Sequence, residues 1–152
     1  MRITDALVFQ SLKGVGNRTL VSLIKFYQAN NLNEIRELDF TKVPKLSSSI
    51  AQTVKELLTN GAYDALSLDC EKDLSNWNEA GIHVLVYGSA EYPTQLYSLA
   101  DPPALLFCKG NYDLIKYPRS IAVVGTRNNT WLGEKIAYKT AQHFSKDRKS
   151  VV

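Results

Sequence analysis

The stretch Ser120-Ile121-Ala122-Val123-Val124-Gly125-Thr126-Arg127-Asn128-Asn129-Thr130-Trp131-Leu132-Gly133 is the part of the chain around which the rest is organised. Ile121 to Val124 is an uncharged apolar run, bounded by Pro118-Arg119 on one side and Gly125 on the other. Such a run reads as a strand buried on both faces of a parallel sheet. Beyond it, Gly133, Ala137, Ala141 and Phe144 share one face of a helix. The unit is therefore strand, polar turn, helix. In open α/β sheets, ligands bind just outside the carboxyl end of such a strand. The turn here carries Gly125, Thr126 and Arg127, then Asn128, Asn129 and Thr130. Glycine permits close backbone approach, a helix start offers free N–H groups to an anion, and a guanidinium fork suits phosphate. The expectation is a phosphate or phosphodiester site. The alternative is an ordinary βα turn with one surface arginine.

The positive charge is concentrated around this unit. Residues 109–152 hold 9 Lys/Arg against 3 Asp/Glu, whereas residues 1–108 hold 9 against 12. That favours a polyanionic partner at the C-terminal part, or else marks a solvated basic surface. The length of 152 residues allows one domain or two small ones. No segment approaches the roughly 18 to 20 apolar residues that span a bilayer, and Met1-Arg2-Ile3-Thr4-Asp5 lacks a signal-peptide core. A cytoplasmic protein with no membrane partner is expected. Cys70 and Cys108 lie far apart with no C-x-x-C context, so buried free thiols are expected rather than a disulfide or zinc.

Residues 1–66 read as small helices. Thr4 is the expected cap of the first, and Leu12-Lys13-Gly14-Val15-Gly16-Asn17 is a tight turn into the second. Leu20, Leu23, Ile24 and Tyr27 then mark a helical face. Helix, Gly-x-Gly turn, helix is the pattern of a helix-hairpin-helix unit, whose backbone N–H groups can hold a DNA phosphate without reading bases. Gly14, Gly16 and Arg18 are the candidates there, and a turn that only packs is the alternative. A helix capped at Ser47–Ser49 and ended by Asn60-Gly61 follows, and then a connecting helix through residues 67–81. From Ile82 the pattern changes to strands, at Ile82 to Tyr87 and Ala104 to Lys109, with a short helix from Tyr92 to Tyr97 between them. The fold class expected is α/β: a small helical domain over 1–66, the connecting helix, and the first part of a Rossmann-like parallel sheet over 82–152. Val151 and Val152 look like the start of the next parallel strand, so the chain is expected to be a piece of a longer protein.

No G-x-G-x-x-G and no Walker-type motif is present, so neither a dinucleotide cofactor nor a P-loop nucleotide is expected. His83 and His143 stand alone, and no paired carboxylates or nucleophile–base set can be assembled. Neither catalysis, nor a cofactor, nor a metal site is expected in these residues.

Three motifs together are specific. Tyr92-Pro93-x-x-Leu96, Asp101-Pro102-Pro103-Ala104-Leu105-Leu106-Phe107-x-Lys109-Gly110-Asn111, and Ile121 to Arg127 with Gly133 after it closely resemble, in order and spacing, the DNA-processing protein A (DprA/Smf) family. Residues 1–66 resemble that family's SAM-like or helix-hairpin-helix domain more loosely. The resemblance implies a bacterial cytosolic protein that binds incoming single-stranded DNA during natural transformation. It would protect that DNA, load a RecA-type recombinase and help displace single-strand-binding protein, on an extended Rossmann fold. It makes the Gly-x-Arg turn the DNA-backbone pocket, so Arg127 and Gly125 carry over, with Thr126, Asn128 and Lys135 beside them. It also implies a homodimer, built from later residues, and a glycine-rich Ser-Gly-x-Ala-x-Gly-Ile-Asp segment beyond Val152. Arg119 and Lys139 are further candidates for a basic groove. Trp131 either stacks a base or packs against sheet or helix, and packing is the expected fate. Two other functions compete: a phosphoribohydrolase-like nucleotide hydrolase, and duplex binding by the hairpin of a repair factor.

Overall fold

A computed structural model describes residues 1–117, 120–146 and 150–151. Pro118-Arg119 as the boundary of the apolar run, Arg119 as a groove residue, and Val152 as part of a further strand lie outside the described residues. The fold mixes helix and sheet. Its elements are α1 (Ile3–Ser11), α2 (Asn17–Ala29), α3 (Ser48–Thr59), α4 (Ala62–Glu79), β1 (Ile82–Val86), β2 (Leu105–Lys109), β3 (Ser120–Ile121), α5 (Trp131–Lys146) and β4 (Ser150–Val151). Two compact units divide the chain, 1–110 and 111–152.

In the first unit the helical faces read from sequence are the ones that pack. Leu20, Leu23, Ile24 and Tyr27 of α2 are buried, and so are Val54 of α3 and Ala6 to Phe9 of α1. Val84, Val86, Tyr87, Tyr92, Ala104 and Leu105 belong to the same core, so the strands and the helices before them share one apolar interior. The first helix is not capped by Thr4, which is buried within its first turn. Asp5 instead accepts the Arg2 backbone N–H at 3.2 Å, because a carboxylate reaches back to an orphan donor better than a short hydroxyl already inside the helix. Asp5 is buried and also receives the Arg2 guanidinium at 2.8 Å and the Tyr63 hydroxyl at 2.8 Å. Burial first, and then the hydrogen bond to Asp5, push the Tyr63 phenol far above its ordinary value.

The sheet departs from an all-parallel reading. β1 pairs with β2 antiparallel, Ile82 opposite Lys109 and Val86 opposite Leu105. The connection between them contains only a 3-10 turn (Thr94–Ser98) rather than a crossover helix. Tyr87 N–H donates to Ala104 C=O at 2.8 Å, so the chain doubles back beside its own strand. In the second unit β3 and β4 pair parallel, Ser120 opposite Ser150 and Ile121 opposite Val151, with α5 between them in sequence. The apolar run is not a strand buried on both faces: strand geometry covers Ser120–Ile121 alone, and Val124 is 90% exposed. Burial on both faces needs layers on both sides; α5 packs against β4 of this ribbon, yet Val124 stays open to solvent.

Candidate nucleic-acid interface

The turn between β3 and α5 is open and polar. Thr126 to Thr130 are exposed. The Asn128 backbone N–H donates to Thr126 Oγ1 at 3.3 Å, which bends the chain around Arg127. Thr130 caps α5: its Oγ1 accepts the Gly133 N–H at 3.2 Å and its C=O accepts the Glu134 N–H at 3.0 Å. That leaves the N–H groups of Trp131 and Leu132 without an intrahelical acceptor. A Cβ added to Gly125 would meet no atom within 4 Å, so packing does not demand glycine here and the backbone stays approachable. Arg127 is exposed, and no carboxylate pairs with it among the described residues. The geometry therefore presents an exposed cation and two free amide donors within one short turn, suited to an anionic oxygen.

Lys135 lies one turn into α5, its Nζ 4.3 Å from the centroid of the Trp131 ring. Trp131 is 71% exposed, so the expectation that it packs against sheet or helix is corrected. The reason is geometric: the face that packs is the one holding Ala137, Ala141 and Phe144, and Trp131 points from another side of the helix.

The Gly-x-Gly turn of the first unit has protein partners of its own. Gly14 takes a left-handed φ of 90°, and a Cβ there would sit 3.4 Å from the Ile50 side chain. Gly16 is the residue before α2. Arg18 pairs with Asp101 at 3.3 Å. Asn17, a residue that sequence reasoning passed over, holds the Asp101-Pro102-Pro103-Ala104 segment in three places. Its amide donates to Asp101 Oδ1 at 2.7 Å and to Pro102 C=O at 2.9 Å, and its Oδ1 accepts the Ala104 N–H at 2.7 Å. The signal that could have found it is the pairing of an asparagine at a helix start with the acceptors of an Asp-Pro-Pro turn.

A groove of about 730 Å³ opens between α3 and the preceding 3-10 turns, walled by Leu38, Phe40, Leu46, Ala51 and Leu58 with Arg36 and Lys55 at its edge; no sequence motif pointed to it. Both cysteines are free, and burial raises both thiols above their ordinary value, which makes them poor nucleophiles. Among the described residues no helix is long and apolar enough to cross a membrane, and no three His, Cys, Asp or Glu side chains gather as for a metal.

The family match falls on the second unit and the strands before it. Residues 83–152 match the family described as DNA recombination-mediator protein A. The chain is 33% identical over 110 residues to the DNA processing protein DprA of Bacillus subtilis (strain 168), covering 66% of this chain and 36% of that protein. It is 47% identical over 51 residues to the DNA processing protein DprA of Streptococcus pneumoniae (strain ATCC BAA-255 / R6), covering 34% of this chain and 18% of that protein. The matched length is thus about a third, or less, of these relatives. No solved structure matches the chain.

Proposed function

Since this chain belongs to the DNA-processing protein A family, we propose that it contributes a grip on single-stranded DNA to a recombination mediator, with no catalytic step of its own. The observation that carries this reading is Arg127, exposed and free of any carboxylate among the described residues, on the turn that opens α5. A single strand is held without sequence readout by cations along its phosphates and by rings under its bases. Arg127 takes a phosphate, Gly125 and Thr126 let the backbone come close, and Asn128 and Lys135 complete the polar edge.

The wider role follows from family membership. The DNA would be strand taken up in natural transformation. The partners would be a RecA-type recombinase and single-strand-binding protein. The setting would be the cytoplasm, on an extended Rossmann framework and as a homodimer. The Gly14–Gly16 turn has a structural part in this reading, because Asn17 and Arg18 are engaged by the Asp101 turn.

Fluorescence anisotropy with labelled oligo-dT tests the grip. Arg127→Ala should weaken binding and lower the log–log salt slope by roughly 0.7, the share of one phosphate contact on a single strand. Unchanged affinity and slope would remove Arg127 from the site.

A further inference from the structure

Helix α5 carries a cation between two aromatic rings on the side away from its packing. Ala137, Thr140, Ala141 and Phe144 are half-buried and mark the packed side. At about 100° of rotation per residue, Trp131, Lys135, Tyr138 and Gln142 gather on the opposite side within roughly 60° of arc. Trp131 is 71% and Tyr138 68% exposed. The Lys135 ammonium covers one face of the Trp131 ring at 4.3 Å, which leaves the rest of the ring open.

The pattern selects its occupant. A membrane-facing helix places its rings together with its aliphatic side chains on one continuous face. Here Leu132 and Ile136 are rotated away from the ring stripe, and Lys135 divides the rings. A helix-binding groove likewise asks for an uninterrupted apolar ridge. Rings separated by cations are what a single nucleic-acid strand requires, with bases on the rings and phosphates on the cations. Lys139 is exposed beside the stripe, and Glu134 on the other flank is the only acidic residue of the helix.

We propose that α5 is a track for a single strand. Trp131 and Tyr138 each stack one base, Lys135 and Lys139 meet phosphates between them, and Arg127 holds the strand where it reaches the helix. This rests on the reading of the Arg127 turn given above. The two rings are seven residues apart, about 10 Å along the axis, so they serve different bases. Stacking tolerates any base, so the track has no sequence preference.

The chain's other tryptophan, Trp77, packs edge-on against Phe107 at 5.1 Å, so a Trp77→Phe variant makes Trp131 the sole tryptophan reporter. Titration with oligo-dT should quench its fluorescence along the same curve that anisotropy gives. Trp131→Ala and Tyr138→Ala should each weaken binding about five- to 140-fold, additively in the double variant, while the Phe variants keep most of the affinity. Neither Ala variant should change the salt slope, whereas Lys135→Ala should lower it by roughly 0.7. Glu134→Gln should tighten binding. If both Ala variants bind normally and Trp131 is not quenched while Arg127→Ala still weakens binding, the track is wrong and the turn stands. If the unaltered protein fails to bind oligo-dT at low salt, both are wrong. Because both rings are exposed, the variants should keep the unaltered circular dichroism spectrum.

Discussion

Replacing Asn17 by alanine should loosen the first unit without touching its core. Ala104 is 1% exposed, and its N–H donates to Asn17 Oδ1 at 2.7 Å. Removing that acceptor leaves a buried donor unmet, which costs about 1 to 3 kcal/mol. The two bonds from the amide, to Asp101 and Pro102, lie at the surface and contribute about 0.5 kcal/mol each at the low end of the usual range. Alanine's better helix propensity at the start of α2 returns about 0.5 kcal/mol. The net expectation is a loss of about 1.5 to 3.5 kcal/mol, read as a lower urea midpoint with an unchanged slope. Trp77 fluorescence reports the transition, since its ring packs on Phe107 of β2. Amide exchange gives the local readout: Ala104 should exchange much faster in the variant. Asn17→Asp is the informative companion. It keeps an acceptor for Ala104 but sets a second carboxylate against Asp101, so its penalty should shrink when Asp101→Asn is added. A change under about 0.5 kcal/mol in Asn17→Ala, with Ala104 still protected, would show that Asn17 does not hold the Asp101 turn and would leave the Gly14–Gly16 turn open to a DNA phosphate.

Other outcomes follow from the buried polar groups. Tyr63→Phe removes a hydroxyl that donates to buried Asp5 at 2.8 Å, and should cost about 1.5 to 3 kcal/mol in urea unfolding, the range for hydrogen bonds to charged groups. Arg2 remains on Asp5 in that variant, so the protein should still fold. Tyr92 is buried, donates to Pro103 C=O at 2.7 Å, and has its phenol pushed up to about 12, by burial first and by neighbouring Tyr97 and Tyr87 next. Its folded value lies above the ordinary 10.0, so folding favours the neutral form. The contribution is therefore whole below pH 10 and is lost as pH rises from there toward 12. Alkaline absorbance titration should show a phenolate step at about 12 that Tyr92→Phe removes while the still later Tyr63 phenol remains; absence of a Tyr92-dependent step there would contradict the assignment.

The amphipathic helices were legible because their information is local. Leu20, Leu23, Ile24 and Tyr27 recur at helical spacing and are buried together; on α5 the face through Ala137, Ala141 and Phe144 packs as read, while Gly133, read as part of it, is exposed. Arg127, Gly125 and Lys135 were legible as candidates because a strand, a glycine turn and a helix start each leave a sequence mark. What could not be read was what meets what. The pairing sense of β1 and β2 depends on how residues 87–104 turn back, and no periodicity encodes that. The run Ile121 to Val124 advertised burial, but burial is a property of neighbours, and Val124 has few. Asn17 looked like one more polar residue at a helix start because its partners lie more than 80 residues away.

The shared interior of the first unit sets where the gene could be cut and rejoined. Val84, Val86, Tyr92 and Leu105 insert among side chains of the preceding helices, so a breakpoint placed after α4 would strand exposed oily surface on both products. A crossover near Gly110 severs no such packing within the first unit. Modular exchange of the helical part among homologues should therefore carry the two strands along as cargo.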